Sequence, residues 1–191
     1  MKQSKSNTMA IGAAAQRKAG VRADRSLSSH YHIEARDPQG SLKWTDDFDN
    51  LVTNEGLDDS LTQHLKGSNY SAAWYVGLLS ATPTFIAGNT MGTHAGWTEV
   101  VAYDEAVRQT LTLGAVSGQS VSNTASPAVF TISTNGTDIG GAFVALHSAK
   151  AADSGYNTGV LYGGGAFTAG NKSLDDGDTL TVTITMTAAA A

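Results

Sequence analysis

The chain has 191 residues, of which 15% are charged, and a formal net charge of −5 at pH 7. It contains no cysteine, which excludes disulfides, thiolate catalysis and cysteine-bound zinc or iron–sulfur sites. The length suits one domain, and the low charge content with 21 glycines favours tight turns and strand faces, so all-β is the leading fold class.

The first 27 residues differ from the rest of the chain in charge and in apolar content. They carry six basic side chains and one acidic one, a net charge of +5, whereas residues 28–191 carry six basic and sixteen acidic ones, a net charge of −10. They also have too few large apolar residues to offset their ordering entropy. We therefore predict an extended arm, residues 1–27, before a folded domain, residues 28–191. The basic residues of the arm are Lys2, Lys5, Arg17, Lys18, Arg22 and Arg25.

Two roles are open for this arm. It either solubilises the chain or docks on an acidic neighbour, and nucleic acid is an unlikely partner. No apolar run reaches the roughly 20 residues of a membrane helix, and the arm lacks the apolar block of a signal peptide. We therefore expect no membrane partner and no export by the general pathway.

A β-hairpin is predicted directly after the arm. Residues 29–36 alternate between apolar and polar side chains, which is the period of a half-buried strand. Residues 37–40, DPQG, have the composition of a tight turn, and residues 41–48 continue as the second strand. The apolar residues of the first strand are Tyr31, Ile33 and Ala35. The apolar anchors of the second are Leu42, Trp44 and Phe48.

One α-helix is predicted near residues 53–66. Thr53 or Asn54 can cap its N-terminus, and acidic residues in its first turns suit the positive end of the helix dipole. Three leucines recur every four residues and form an apolar stripe, which is expected to pack on a sheet. They are Leu57, Leu61 and Leu65.

Beyond residue 72 the chain reads as strands separated by turns rich in glycine and asparagine. Residues 72–80 are nearly all apolar, which predicts a central strand buried on both faces. The loop of residues 81–96 carries apolar side chains that need cover: Phe85, Ile86 and Met91. In the last strand, residues 179–187, apolar residues alternate with threonines, so a threonine face meets water or a partner. The short spacing of turns predicts an antiparallel β-sandwich, jelly-roll or immunoglobulin-like, with one helix.

Residues 94–114, HAGWTEVVAYDEAVRQTLTLG, form the most enzyme-like segment. Its carboxylates and arginine have the composition of a hydrolase site, with Glu99 at one end and Arg108 near the other. The favoured interpretation is structural: Arg108 binds Asp104 or Glu105 across a turn, on a strand-like segment that carries aromatic residues. The residues of this predicted clamp are Trp97, Tyr103, Asp104, Glu105 and Arg108.

Other candidate sites are weaker. His30 and His32 share one strand face and could reach a metal together, but no third ligand stands at a recognisable spacing, so exposed histidines are the favoured interpretation. The acidic residues of SLDDGDT, Asp175, Asp176 and Asp178, indicate a turn, because the calcium-loop signature is absent. The glycines of residues 163–165 lack the lysine and helix of a phosphate loop and indicate a bulge or a close backbone approach. No catalytic residue, cofactor or metal is therefore expected.

Six stretches carry a resemblance to a known family. They are NLVTNEGLDDSL, AAWYVGLLS, GNTMGTHAGWTEVVAYDEAVRQ, IGGAFVALHSAK, LYGGGAF and DDGDTLTVTITMT. In this order, over about residues 48–187, they resemble a family of small structural proteins of tailed bacteriophages and prophages. The resemblance implies a virion component, assembled in the bacterial host cytoplasm, with no catalytic residues.

Within the virion, the resemblance implies a decoration or cement protein on the capsid, or else a subunit of the tail or its fibres. The expected partners are other virion proteins, namely the major capsid protein or tail- and portal-associated proteins, and further copies of the chain in the assembly. Two alternatives from other classes remain open. One is a carbohydrate-binding sandwich with Trp74, Trp97 and Tyr103 as sugar platforms. The other is an enzyme acting through Glu99 to Arg108.

Overall fold

The computed structural model describes residues 25–64, 73–151 and 155–190. The predicted arm therefore lies outside the described residues, apart from its last three. Those three belong to the first strand and not to an extended arm as predicted. The reason is pairing: Arg25 to Leu27 lie opposite the last residues of the final strand, which extends the sheet beyond the predicted boundary.

Thirteen strands and one helix follow one another in the described residues. They are β1 (Arg25–Arg36), β2 (Leu42–Asp49), β3 (Leu51–Val52), α1 (Asn54–His64), β4 (Tyr75–Leu79), β5 (Glu99–Val100), β6 (Gln109–Thr110), β7 (Ser120–Ser122), β8 (Ala128–Thr131), β9 (Thr137–Ile139), β10 (Gly141–Ala145), β11 (Leu161–Ala166), β12 (Lys172–Leu174) and β13 (Thr179–Ala190).

These strands form two main sheets and one small one. The first sheet has the order β2-β1-β13-β7, and β8 also pairs with β13. The second has the order β3-β11-β10-β4-β5, and β6 also pairs with β4; β12 and β9 form the small sheet. All these pairs are antiparallel. The architecture confirms the predicted all-β, sandwich-like fold with a single helix.

The main core lies between the two sheets. Alternate residues of β1 and β13 supply one side of this core, and residues of β4 and β10 supply the other, as the period of two dictates. The fully buried members of β1, Tyr31, Ile33 and Ala35, confirm the predicted strand face. The members from the second sheet include Val76, Leu78, Ala142 and Val144.

A smaller core covers the other face of the second sheet. It packs residues from β4, β10 and β11 against the loop that precedes β5. Its members are Leu79, Met91, Trp97, Phe143, Ala145 and Leu161, with Phe85 at its side. The predicted cover for Met91 is confirmed, whereas Ile86 in the same loop stays exposed. Since β4 is buried and has neighbours on both edges, its predicted central place is also confirmed.

The first hairpin confirms the predicted turn and corrects one anchor. Gly40 has the left-handed φ of 84° that closes this turn, and its N–H donates to the Asp37 carbonyl at 2.9 Å. Leu42, predicted to be an anchor, is exposed. Asp46 of the same strand, in contrast, is buried. Its carboxylate accepts the backbone N–H groups of residues 168 and 169 at 3.0 and 3.2 Å, which compensates for its burial.

The helix begins where predicted but packs differently. Thr53 Oγ1 accepts the Gly56 N–H at 3.0 Å, which confirms the predicted cap. The predicted leucine stripe is wrong: Leu57 and Leu61 are 40% and 56% exposed, and Leu65 lies outside the described residues. The helix is held close to β11 through Gly56, where an added Cβ would stand 2.4 Å from the Tyr162 carbonyl oxygen. A close contact between the backbone of Gly56 and that of β11 therefore takes the place of the expected leucine packing.

Glycines also let β11 approach its neighbours. An added Cβ at Gly163 would lie 2.7 Å from the Leu51 carbonyl oxygen in β3, and one at Gly164 would lie 2.8 Å from the Ala142 carbonyl oxygen. The register between β10 and β11 shifts next to Val144. These contacts confirm the predicted close backbone approach at residues 163–165.

Candidate functional site

The enzyme-like segment builds a buried ion pair beside β4. Arg108 and Glu99 have side chains that are 0% and 3% exposed. The guanidinium donates twice to the carboxylate, from Nε to Oε1 at 2.7 Å and from Nη2 to Oε2 at 2.8 Å. It also donates to the carbonyl oxygens of His147 at 2.8 Å and Tyr156 at 3.0 Å. Such a bidentate pair is both strong and geometrically specific.

The carboxylate of this pair is equally well bonded. Glu99 Oε2 accepts the Ala151 N–H at 2.8 Å, and the Arg108 guanidinium lies 5.1 Å from the centre of the Phe143 ring. A buried charge pair is tolerated only when its remaining donors and acceptors are satisfied. We call this group the Arg108 brace: Glu99, Arg108 and the carbonyls of His147 and Tyr156. Its hydrogen bonds tie the ion pair to the backbone at residues 147, 151 and 156.

The brace corrects the predicted clamp. Arg108 was expected to bind Asp104 or Glu105, but its partner is Glu99. The carboxylate of Glu105 instead accepts the Thr131 N–H at 3.1 and 3.2 Å, and Asp104 is exposed. The aromatic members, Trp97 and Tyr103, are buried.

Pairing along one edge of β4 explains the true partner. β5 pairs with Leu78 and Leu79, and β6 pairs with Tyr75 and Val76 on the same strand. The chain therefore leaves this edge after β5 and returns to it at β6. Glu99 and Arg108 stand at the two ends of the intervening loop, where they can meet.

Lys150 holds this loop, and the sequence interpretation did not include it. Its ammonium donates to three backbone carbonyl oxygens, those of Val101 at 3.3 Å, Tyr103 at 3.1 Å and Glu105 at 2.8 Å. It also lies 4.2 Å from the centre of the Tyr103 ring. The acceptors are backbone groups more than forty positions away, so no side-chain spacing in the sequence could signal this contact.

The aromatic residues proposed as sugar platforms pack against other rings. Trp97 stacks with His94 at 3.7 Å and with Phe85 at 5.8 Å between ring centres. Trp74 meets Tyr162 edge to face at 5.4 Å. A small cavity of about 140 Å³ lies beside Trp97. Its lining residues are Met91, His94, Trp97, Thr98, Glu99, Ala151 and Tyr156. Trp97 belongs to the smaller core, whereas Tyr103 belongs to the main core and Trp74 packs, partly buried, against it.

Exposed titratable and polar side chains lie on the first sheet. Because alternate residues of β1 and β13 fill the main core, the intervening residues form an opposite face, which we call the outer face. β1 and β13 pair over twelve residues without a register shift, so this face is continuous. Its members in the middle of the sheet are His30, His32, Glu34, Thr45, Asp47, Asp49, Thr181, Thr183 and Thr185.

The two histidines of the outer face contact aspartates of β2. His30 Nδ1 lies 2.9 Å from Asp49 Oδ1, and its Nε2 lies 3.2 Å from Asp47 Oδ1. His32 Nδ1 lies 2.9 Å from the same Asp47 oxygen. In the part of the chain that the structure describes, no group of three or more His, Asp and Glu side chains is placed to hold a metal ion.

The acidic turn before β13 is held by a lysine. Lys43 Nζ donates to the buried Asp178 carboxylate and lies 3.8 Å from Asp175 Oδ2. The same Asp178 carboxylate accepts the Asp175 N–H at 2.8 Å, and Gly177 has a left-handed φ of 81°. The hydrogen bond to Asp178 raises the pKa of Lys43. These contacts support the interpretation of SLDDGDT as a structural turn.

Comparisons with known proteins add no family. No protein-family model, no curated protein and no solved structure matches the chain. Within the described residues, no helix is both long and apolar enough to span a membrane. Of the basic residues expected to bind a partner, Arg25 begins β1; Lys2, Lys5, Arg17, Lys18 and Arg22 precede the described residues.

Proposed function

We propose that the chain is a structural protein of a tailed bacteriophage virion, and more specifically a decoration or cement protein that binds neighbouring capsid proteins. The observation that carries this proposal is the continuous polar outer face of the first sheet. It offers threonine hydroxyls along β13 and, in the middle of β1 and β2, two imidazoles and three carboxylates. A tail or tail-fibre subunit is the alternative within the same class.

The placement of the family-like stretches supports this proposal. Five of them lie in the second sheet and its cover: those with the start of α1, with β4, with the loop of the Arg108 brace, with β10 and with β11. The last one forms β13 at the centre of the first sheet. The resemblance thus rests mainly on residues of the second sheet and its cover, together with β13, whose threonines belong to the outer face.

The burial of the enzyme-like residues supports a binding role. The carboxylate of Glu99 and the guanidinium of Arg108 are buried and bonded to each other and to the backbone. In a symmetric shell, many copies each contribute a modest interface, and effective concentration multiplies weak contacts. Adhesion to neighbouring proteins is therefore the activity that we assign to the chain.

The test is occupancy on purified particles of the bacteriophage or induced prophage that encodes the chain. The variant Thr183→Arg, Thr185→Arg places two bulky charges in the middle of the outer face. Such changes at an interface centre are expected to lower occupancy by about tenfold or more. Leu61→Arg, on the exposed side of α1, is the matched control and is expected to keep full occupancy. Quantitative mass spectrometry of the particles measures all three proteins.

Two results would overturn the proposal. One is the absence of the wild-type chain from purified particles. The other is full occupancy of the outer-face variant, which would show that another surface binds the particle.

The basic segment before β1 is proposed as a second contact with a neighbouring acidic protein. Removing residues 1–24 leaves all of β1 in place and removes five basic side chains against one acidic one, a net charge of +4. Occupancy of this truncated chain is expected to fall below that of the full chain. The deficit is expected to be larger at low salt than at high salt, because salt already screens the charge contacts of the full chain. Unchanged occupancy at both salt concentrations would eliminate this contact.

A further inference from the structure

His30 is the group of the outer face whose hydrogen bonds depend most on its charge. Both of its ring nitrogens face carboxylate oxygens, at 2.9 Å from Asp49 and 3.2 Å from Asp47. An ionised carboxylate only accepts hydrogen bonds, and a neutral imidazole has only one N–H to donate. Both contacts can therefore be hydrogen bonds only when His30 is an imidazolium.

The other charged groups on this face are accounted for locally. His32 uses Nδ1 on Asp47 at 2.9 Å, so this aspartate accepts from two histidines. Further along β1, the Arg36 guanidinium donates to Glu34 at 2.8 Å. On the other side of His30, β13 contributes uncharged threonines, Thr183 and Thr185. The described charges that face His30 are therefore those of β2, with His32 beside them.

The local electrostatics agree with this geometry. The hydrogen bond to Asp49 is the largest influence on His30, and with Asp47 it raises the pKa of the imidazole above its ordinary value despite some desolvation. The pKa of Asp47 is lowered, chiefly by its hydrogen bond to His32. The imidazole of His30 therefore changes its charge at a pH above the ordinary value of about 6.5.

We propose that His30 is a proton-operated fastener between β1 and the edge strand β2. Protonated, it joins Asp47 and Asp49 across the two strands. When it loses its proton to solvent, one of the two hydrogen bonds is lost, and the outer face becomes more negative by one charge. Among the described residues, β2 pairs only with β1, so this contact adds to the pairing that holds the edge strand. The inference does not depend on the virion role, because it concerns contacts within one chain.

The experiment is an NMR titration of the isotope-labelled full chain from about pH 5 to about pH 9, a range that brackets the ordinary histidine pKa. The ring signals of His30 are expected to show a pKa above the ordinary value, with both nitrogens protonated on the acidic side. Asp49→Asn is expected to lower that pKa, and to lower it more than Asp47→Asn does, since the Asp49 contact is shorter. Asp138→Asn, an exposed aspartate in β9, is the control that leaves it unchanged.

Amide exchange in the same samples tests the mechanical part of the proposal. Protection factors of the β2 amides are expected to fall relative to those of β13 as the pH rises through the His30 pKa. In His30→Gln this relative fall is expected to disappear. The proposal is overturned if His30 titrates at or below its ordinary value, if Asp49→Asn leaves its pKa unchanged, or if the wild-type and His30→Gln proteins show the same pH dependence of protection.

Discussion

The two main sheets use charged side chains in opposite ways. The second sheet is covered on both faces, and the arginine and glutamate at its edge are sealed inside with every strong donor and acceptor bonded. The first sheet buries one face and leaves histidines and aspartates half in water on the other. Buried charges of this kind fix one geometry, whereas exposed ones remain free to titrate and to meet a partner.

The strands themselves show why the sheets differ. β11 carries three successive glycines, and its neighbours come so close that added side chains would overlap backbone atoms. β13 instead alternates apolar residues with threonines, which fills one face and leaves the other polar. The second sheet is therefore packed on both faces and serves as the scaffold of the fold, whereas the first sheet leaves one face exposed.

The sharpest contrast is between two arginines. Arg108→Met leaves the Glu99 carboxylate buried without its partner, and breaking such a pair is expected to cost about 3–5 kcal/mol of unfolding free energy. The matched variant is Arg36→Met on the first sheet, where the ion pair with Glu34 is partly exposed. That change is expected to cost about 1 kcal/mol or less. Urea unfolding at neutral pH measures both, and equal losses would contradict the division between the sheets.

A pair of glycines tests the close packing of the scaffold. In a free helix, Gly→Ala is favourable by about 1 kcal/mol, but a Cβ at Gly56 would stand 2.4 Å from the Tyr162 carbonyl oxygen. Gly56→Ala is therefore expected to destabilise the chain by about 1–3 kcal/mol. At Gly88 an added Cβ meets nothing within 4 Å, so Gly88→Ala is the control, with a change of about 0.5 kcal/mol or less. A stabilising Gly56→Ala would show that α1 is not held by its backbone.

His30 gives a smaller effect that depends on pH. Because its pKa is raised in the folded chain, its contribution to stability is fully present below the unfolded pKa of about 6.5. That contribution is lost as the pH rises through the folded pKa. The stability difference between wild type and His30→Gln is therefore expected to shrink from acid to alkaline pH. Its size is about 1 kcal/mol or less, since the side chain is half exposed. Urea midpoints across this range check the sign, and a difference that grows with pH would be the contrary result.

The smallest effect is expected on the exposed side of the helix. Leu61→Gln replaces a side chain that is 56% exposed, so the unfolding free energy should change by about 0.5 kcal/mol or less. Leu78→Ala, in the main core between the sheets, is the reference and should cost about 2–5 kcal/mol. Thermal unfolding of both variants compares them. A large loss of stability in Leu61→Gln would instead support the packed leucine stripe that the sequence predicts.

Local patterns in the sequence predict much of the fold. The alternation in β1 and β13, the turn at residues 37–40 and the cap at Thr53 all follow from period, turn chemistry or a single hydrogen bond. The predicted leucine stripe of α1 is wrong because the helix contacts β11 through a glycine. A glycine has no side chain, so this contact leaves no trace in the hydrophobic pattern.

The contacts of the candidate site were harder to predict from such patterns. The composition of residues 94–114 indicates a clamp around Arg108, but local spacing favours Asp104 or Glu105 over the true partner, Glu99. That choice depends on β5 and β6 returning to the same edge of β4, which is a fact of tertiary structure. The contacts of Lys150 with backbone carbonyls also depend on tertiary structure and could not be predicted from local spacing. The same holds for the contacts of His30 with two aspartates of the neighbouring strand.

The most direct test of the account is a cryo-electron microscopy reconstruction of the particle that the chain is proposed to decorate. We expect density for the sandwich on the particle, with the outer face of the first sheet lying against a neighbouring virion protein and the Arg108 brace remote from the interface. Particles without this density, or density in which the outer face points to solvent while another surface makes the contact, would contradict the central claim.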